Sequence, residues 1–328
     1  MIRAIFSTAL LLVAGIAHAD PLPSWTDTAT KTAIIAFVEG VTTPGSADFL
    51  PEADRVAVFD NDGTLWAEQP VYFQLYFALD ALRAKAEADP SILSTDVLKA
   101  AAAGDLKTVL AGGMPALVEI LKASHADVTA EAFSASVAEW AATAVHPDTG
   151  LRFVDMTYQP MGELLRYLRD EGFSTWIVTG GGSHFVRGFA QDAYGIPPEQ
   201  VVGTLGESEY RVIDGVGQIW KLPEIAFIDD KGGKPIGIDR NIGRRPILAF
   251  GNSDGDFEML DYVTTGPGPS LGLILHHTDG AREWAYDREG HIGNLSRGLD
   301  EAAAKGWLVV DMAVDWSRIY SGGNSKGD

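Results

Sequence analysis

The sequence predicts an α/β protein, a doubly wound parallel sheet carrying an inserted helical segment and a small β-hairpin flap. Three observations predict it. Arg55 to Phe59, Phe173 to Val178 and Pro246 to Phe250 are short apolar runs of the kind that form strands buried on both faces. Each run opens into a polar or glycine-bearing loop, and in parallel sheets chemistry sits at the carboxyl ends of the strands. Between the first and second runs, from about Val71 to Val145, the chain is rich in Ala, Leu and Glu and carries almost no strand signal.

Arg3, the apolar run Ala4 to Ile16 and the small-x-small step Ala17, His18, Ala19 read as a secretory signal over residues 1–19. The run is shorter than the roughly 20 apolar residues a membrane span needs. The expectation is therefore export, to the periplasm or outside the cell, with Asp20 as the new N-terminus and no membrane attachment afterwards. Asp27 to Gly40 has helical apolar spacing and stops at a glycine. After the first strand, Tyr72 to Ala88 and Thr129 to Ala144 are helical runs of the insertion. Gly162 to Glu171 is an amphipathic helix leading through Gly172 into the second strand. Val201 and Val202 form a brief strand, and Glu209 to Lys234 alternates between turns at Asp214-Gly215 and Gly232-Gly233, as hairpins do. A helix from about Phe257 to Tyr262 and a strand from Gly272 to Leu275 follow. The expected division is a core of residues 20–70 and 146–328 with a helical cap at 71–145.

With 46% hydrophobic residues the chain can build one large domain, or a core and a smaller one. It contains no cysteine, so stability rests on packing and thiolate zinc sites are excluded. The net charge of −20 repels nucleic-acid backbones and anionic lipid, so nucleic acid is not an expected partner.

Three polar clusters follow strands: Asp60 to Thr64, Thr179 to Gly182, and Gly251 to Asp256, with Lys231 and Lys234 between the last two. Together they form what phosphoryl transfer requires. A carboxylate can attack phosphorus and be regenerated by water, and a second one two residues on can serve leaving oxygen and water in turn. So many acids need a hard cation beside an incoming phosphate, and oxygen ligands suit Mg²⁺. A lysine and the amides near Thr179 would offset the remaining charge.

These residues resemble the motifs of the haloacid dehalogenase superfamily. Asp60-Asn61-Asp62-Gly63-Thr64 matches the first, Val178-Thr179-Gly180-Gly181 resembles the second, Lys234 matches the third and Gly251 to Asp256 the fourth. The second aspartate of the first motif points to phosphatases, and a helical cap in the type-one position makes the phosphoserine phosphatase branch the nearest resemblance. It implies a Rossmann-like core, Mg²⁺ and a small phosphorylated substrate. It implies Asp60 as nucleophile, and Asp62 as acid/base and as metal ligand through its backbone carbonyl. Thr179 would be the phosphate hydroxyl donor, beside Gly180 and Gly181, with Lys234 rather than Lys231 as the phosphate-contacting lysine. The metal would be held by Asp60, Asp62, Asn252 and Asp256. Asn252 departs from the family, which has an aspartate there, so Asp254 or, ranked first, Asp256 is expected to take part of the coordination.

The same residues admit rival readings. Calcium loops starting at Asp60 or Asn252 fail at positions 6 and 12. Gly251-Asn252-Ser253-Asp254-Gly255 is a literal G-x-S-x-G, which with Asp279 or Asp287 and His291 would make a serine esterase. A secreted protein that only binds a phosphorylated ligand is the non-enzymatic alternative. His184 and Arg187 lie just beyond the second motif, within possible reach of substrate, and His276-His277 reads as structural.

Overall fold

The computed structural model describes residues 19–323, so the proposed signal, apart from Ala19, lies outside the described residues. The chain runs α1 (Ala29–Thr42), β1 (Val56–Phe59), five helices α2 (Phe73–Ala88), α3 (Asp96–Ala103), α4 (Leu106–Ala111), α5 (Gly113–His125) and α6 (Ala130–Thr143), then α7 (Gln159–Asp170) and β2 (Ser174–Gly182). Two short helices, α8 (Ser183–Arg187) and α9 (Ala190–Tyr194), precede the long strands β3 (Val201–Ile213) and β4 (Val216–Phe227). The remainder is α10 (Gly233–Asn241), β5 (Leu248–Gly251), α11 (Phe257–Thr264), β6 (Leu271–His276), α12 (Arg297–Lys305), β7 (Leu308–Asp311) and α13 (Met312–Asp315).

Seven strands form one sheet in the order β4-β3-β2-β1-β5-β6-β7, parallel except for the β3–β4 pair. The alternation of side chains along a strand divides the core in two. Ala57, Phe59, Ile177, Leu248 and Phe250 point into a layer shared with α1 and α7, whereas Val58, Val178, Val202 and Ala249 point into one closed by Ile238, Phe257, Leu260 and Trp307. Both faces are thus covered, as the apolar strand runs require, and the sheet is doubly wound as expected. The helices between β1 and β2 have a cluster of their own around Leu75, Leu79, Leu82 and Ile120. Phe73, Phe77, Val137 and Trp140 of the same stretch join the main core, which seats these helices on the sheet.

Two local expectations change. The second strand does not stop before the glycines but runs on to Gly182, with its pairing to β3 shifting between Thr179 and Gly182. The glycines therefore form a bulged strand end, where the absence of side chains tolerates a close approach. The flap is not separate either. β3 leaves the parallel sheet and continues into a hairpin with β4 around Asp214-Gly215, while Gly232-Gly233 opens α10 instead of a second turn. None of the described helices is long and apolar enough to cross a membrane.

Candidate active site

Three strand ends converge at one edge of the sheet. Asp60, the residue after β1, donates its backbone N–H to the Phe250 carbonyl of β5 at 2.9 Å, so the loop starts stitched to its neighbour. The chain then turns back on the Asn61 carbonyl, which accepts from the N–H groups of Thr64 and Leu65 at 3.1 and 2.8 Å. Gly63 holds the turn at φ +71°, in the left-handed region that glycine enters without penalty. A Cβ at this position would run into Asn252 and Glu68.

Lys234 ties the ends together. It comes from the first turn of α10, is 2% exposed, and spends its three protons on Asp60 Oδ1 (2.8 Å), Asp256 Oδ1 (2.6 Å) and the Val178 carbonyl (3.0 Å). Burial works to lower its pKa, but Asp256 and Asp60 outweigh that and hold it above the ordinary lysine value. For Asp60 burial comes first and the Asp256 charge second, and together they push the carboxyl well up against the pull of Lys234. Lys231, the other candidate, is exposed, so of the two lysines Lys234 is the one at the site.

Asp62 faces the same space from two residues on. Burial pushes its carboxyl up to about 6, against a 2.8 Å hydrogen bond from Trp66 Nε1 to its Oδ1. Trp66 is a core residue, stacked on Phe189 at 4.4 Å, and only its N–H serves the site. Thr179 is buried at the end of β2, where its Oγ1 accepts the Gly181 N–H at 3.0 Å. A Cβ on Gly181 would lie 3.5 Å from Asp62 Oδ2, which places this part of the bulge against the acid. Gly180 is turned the other way, its carbonyl accepting from Thr204 Oγ1 at 2.7 Å.

Asp256, ranked first to share the metal coordination with Asn252, is engaged by protein groups. Its Oδ1 is held by Lys234, and its Oδ2 accepts from the N–H groups of Asn252 and Ser253 at 3.0 and 3.1 Å. Both oxygens are therefore committed, and Asp256 positions the lysine and the fourth loop. Asp254 is committed elsewhere too, capping α12 through the Gly298 N–H at 2.8 Å and the Arg297 N–H at 3.0 Å. That leaves Asn252, whose Oδ1 accepts from Thr64 Oγ1 at 3.1 Å. Among the described residues no group of three or more His, Cys, Asp or Glu side chains stands ready to hold an ion. A hard cation here would depend on Asp60, the Asp62 carbonyl and the Asn252 amide oxygen, a set of oxygens that fits Mg²⁺.

The esterase triad is not assembled. Ser253 Oγ lies 3.3 Å from Asp256 and accepts the Gly255 N–H, Asp279 pairs with Arg282, Asp287 lies 3.3 Å from His276, and His291 is exposed. Arg187 donates to the carbonyls of Pro198 and Val201 and is structural, whereas His184 faces a cavity beside the second motif.

Two residues of the site escaped the sequence. Glu68 is buried, accepts from Asn252 Nδ2 at 2.7 Å and from the Tyr286 hydroxyl at 2.9 Å, and is pushed well above the usual carboxylate range by burial and then by Asp62. It stands behind Asn252 and fixes the orientation of its amide, with the amide oxygen left toward Thr64. His277 Nε2 lies 2.8 Å from the Gly63 carbonyl, and its other ring nitrogen lies 3.2 Å from Glu283, so it buttresses the first motif from below. In sequence both look like ordinary polar residues, for their partners lie far away along the chain.

Residues 57–261 match the family model of haloacid dehalogenase-like hydrolases, and the chain belongs to that family. No curated protein sequence matches it. Among solved structures it is similar to a protein of unknown function from Anaerococcus prevotii, 18% identical over 76% of this chain and 86% of that one, with a TM-score of 0.51. A protein of unknown function from Bordetella pertussis is 19% identical over 79% and 98% of the two chains, with a TM-score of 0.46. A phosphoserine phosphohydrolase-like protein from Francisella tularensis is 19% identical over 76% and 98%, with a TM-score of 0.41. At such identities the first likeness speaks for a shared fold.

Proposed function

We propose that this hydrolase is an exported, Mg²⁺-dependent phosphatase of small phosphomonoesters that works through an aspartyl-phosphate on Asp60. The observation that carries the reading is the Lys234 ammonium bridging Asp60 and Asp256 at the strand ends, with Asp62 beside the glycine bulge of β2. Lys234 holds Asp60 Oδ1, which leaves Oδ2 to attack phosphorus. As the P–O bond to the leaving group breaks, Asp62 delivers its proton to the departing oxygen. Asp62, now a carboxylate, takes a proton from the water that attacks the phosphoryl group, and inorganic phosphate departs as Asp60 is regenerated. The Thr179 hydroxyl and the Gly180 amide receive phosphoryl oxygens, whereas Lys234, its three protons engaged by Asp60, Asp256 and the Val178 carbonyl, acts through its charge, and the Gly181 N–H would have to leave Thr179 Oγ1 to join them. Bound by Asp60, the Asp62 carbonyl and Asn252, Mg²⁺ would offset the charge of the carboxylates and the phosphoryl group.

Residues 71–145 serve in this reading as the cap over the leaving group, and the pattern of residues 1–19 supports export to the periplasm or beyond. The test is a panel of phosphomonoesters with Mg²⁺ or chelator, run on the wild type, Asp60→Asn and Ser253→Ala. The expected result is Mg²⁺-dependent turnover that falls by about 10³-fold or more in Asp60→Asn and survives in Ser253→Ala. Binding without turnover would favour the non-enzymatic alternative. Ester cleavage lost in Ser253→Ala alone would overturn the reading.

A further inference from the structure

Beside the β2 glycines lies a cavity of about 130 Å³ that extends away from Asp60 and Lys234, neither of which lines it. Its walls come from α2, α5, α6, α8 and the β3–β4 hairpin, and are apolar at Leu121, Phe133, Phe185 and Leu222. Lys221 of β4 reaches into it and is only 8% exposed. The backbone fixes Lys221 there, its N–H donating to the Val128 carbonyl at 2.9 Å and its carbonyl accepting from Asp127 at 3.0 Å. Its Nζ lies 4.5 Å from the centre of the Phe133 ring and 3.4 Å from His184 Nδ1, and among the described residues no carboxylate pairs with it. A buried cation without an anion is costly.

The other titratable groups on the wall do not relieve it. Burial and then Lys221 itself push His184 down to about 4 and His125 down to about 3, so both are neutral near pH 7. Lys122 and Glu224, which also line the cavity, are exposed. The wall has no buried acid to receive an ammonium group.

The cavity borders the bulge of β2 at Gly180 and Gly182. Gln74 lines it, and its Oε1 accepts the Gly182 N–H at 2.9 Å. A Cβ on Gly181 would stand 3.5 Å from both Gln74 Oε1 and Asp62 Oδ2, so this glycine lies between the proton donor and the cavity wall.

Resting on the phosphatase reading, the geometry points to a leaving-group pocket for phosphorylated hydroxy acids, in which Lys221 receives a carboxylate at the end of a short apolar stem. A carboxylate suits one ammonium among apolar walls, whereas a second phosphate would need more donors. An amino acid would bring an ammonium that nothing buried accepts, so phosphoserine is a poorer substrate than its deaminated counterpart.

The test compares ω-phosphonooxy carboxylic acids of two to four carbons with alkyl phosphates of equal length, and 3-phosphonooxypropionate with phosphoserine, on the wild type and Lys221→Met. In the wild type at least one acid exceeds its alkyl counterpart about tenfold or more in kcat/KM, chiefly through KM, and Lys221→Met brings that ratio close to one. The ratio is indifferent to how much of the variant folds. Equal kcat/KM for acids and alkyl phosphates in the wild type, or a preference that persists in Lys221→Met, overturns the inference while leaving the phosphatase reading intact. Calorimetry of 3-hydroxypropionate needs no turnover: Lys221-dependent binding without phosphatase activity would sustain the pocket and sink the phosphatase.

Discussion

Lys234 and Lys221 are both buried lysines, one at the strand ends and one in the wall of the neighbouring cavity, and their surroundings are opposite. Lys234 is enclosed by two carboxylates and a carbonyl, and its pKa is held up. Lys221 meets a ring face and a neutral histidine, and burial depresses it to about 8. The first lysine has its counter-charge in the fold. The second has none, which marks the difference between a charge that completes a site and one that awaits a ligand.

The largest effect should come from breaking the first environment. Lys234→Met leaves Asp60 and Asp256 facing each other without a cation and is expected to cost about 3–5 kcal/mol in denaturant unfolding, together with nearly all activity. The same substitution at the second site should act in the opposite direction. Lys221→Met removes a buried, unpaired charge and is expected to raise stability by about 2 kcal/mol at pH 7. The sign follows from linkage: with its folded pKa depressed to about 8, the folded wild type binds fewer protons than the unfolded chain and gains stability as pH rises from about 8 toward the ordinary lysine value. Lys221→Met lacks that gain, so unfolding curves of the two proteins should draw together in alkaline buffer.

Two smaller effects sharpen the anionic side of the comparison. Asn252→Asp sets a carboxylate against Glu68 and should weaken Mg²⁺ binding in calorimetry relative to the double variant Asn252→Asp with Glu68→Gln, which exchanges charge and amide while keeping their hydrogen bond. The expected difference is on the order of tenfold. A double variant no better than the single one would show that Glu68 does not oppose a carboxylate at position 252. Asp62, with its carboxyl near 6, must be protonated to serve the leaving group, so kcat/KM for a poor leaving group should fall as pH rises through about 6. Trp66→Phe removes a hydrogen bond that favours the carboxylate, and should move this limb upward by a fraction of a unit in the pH profile.

Much of the strand-end site was legible because its residues follow apolar runs at fixed spacing: Asp60 and Asp62 after β1, Thr179 after the Val178 step, Lys234 three residues beyond Lys231. What the sequence could not give was the use of each oxygen. Asp256 reads as a ligand in sequence, which does not reveal that its two oxygens meet Lys234 and the amides of its own loop. Glu68 and His277 looked unremarkable because Asn252 and Gly63, which they hold, are remote in sequence. The hairpin was legible as alternation, but its continuity with β3 was not, since nothing in one strand's composition states where its partner changes.

That continuity has a consequence for how selectivity is inherited. β3 pairs with β2 at its start and with β4 further on, where Ser208 stands opposite Lys221. A single strand thus serves as the measuring rod between the phosphoryl site and the cavity wall. Because neighbouring residues in a strand face opposite sides, one residue added or lost along it would send the ammonium outward and a neighbour inward. Preference for the leaving group is stored in a count of residues as much as in their kind.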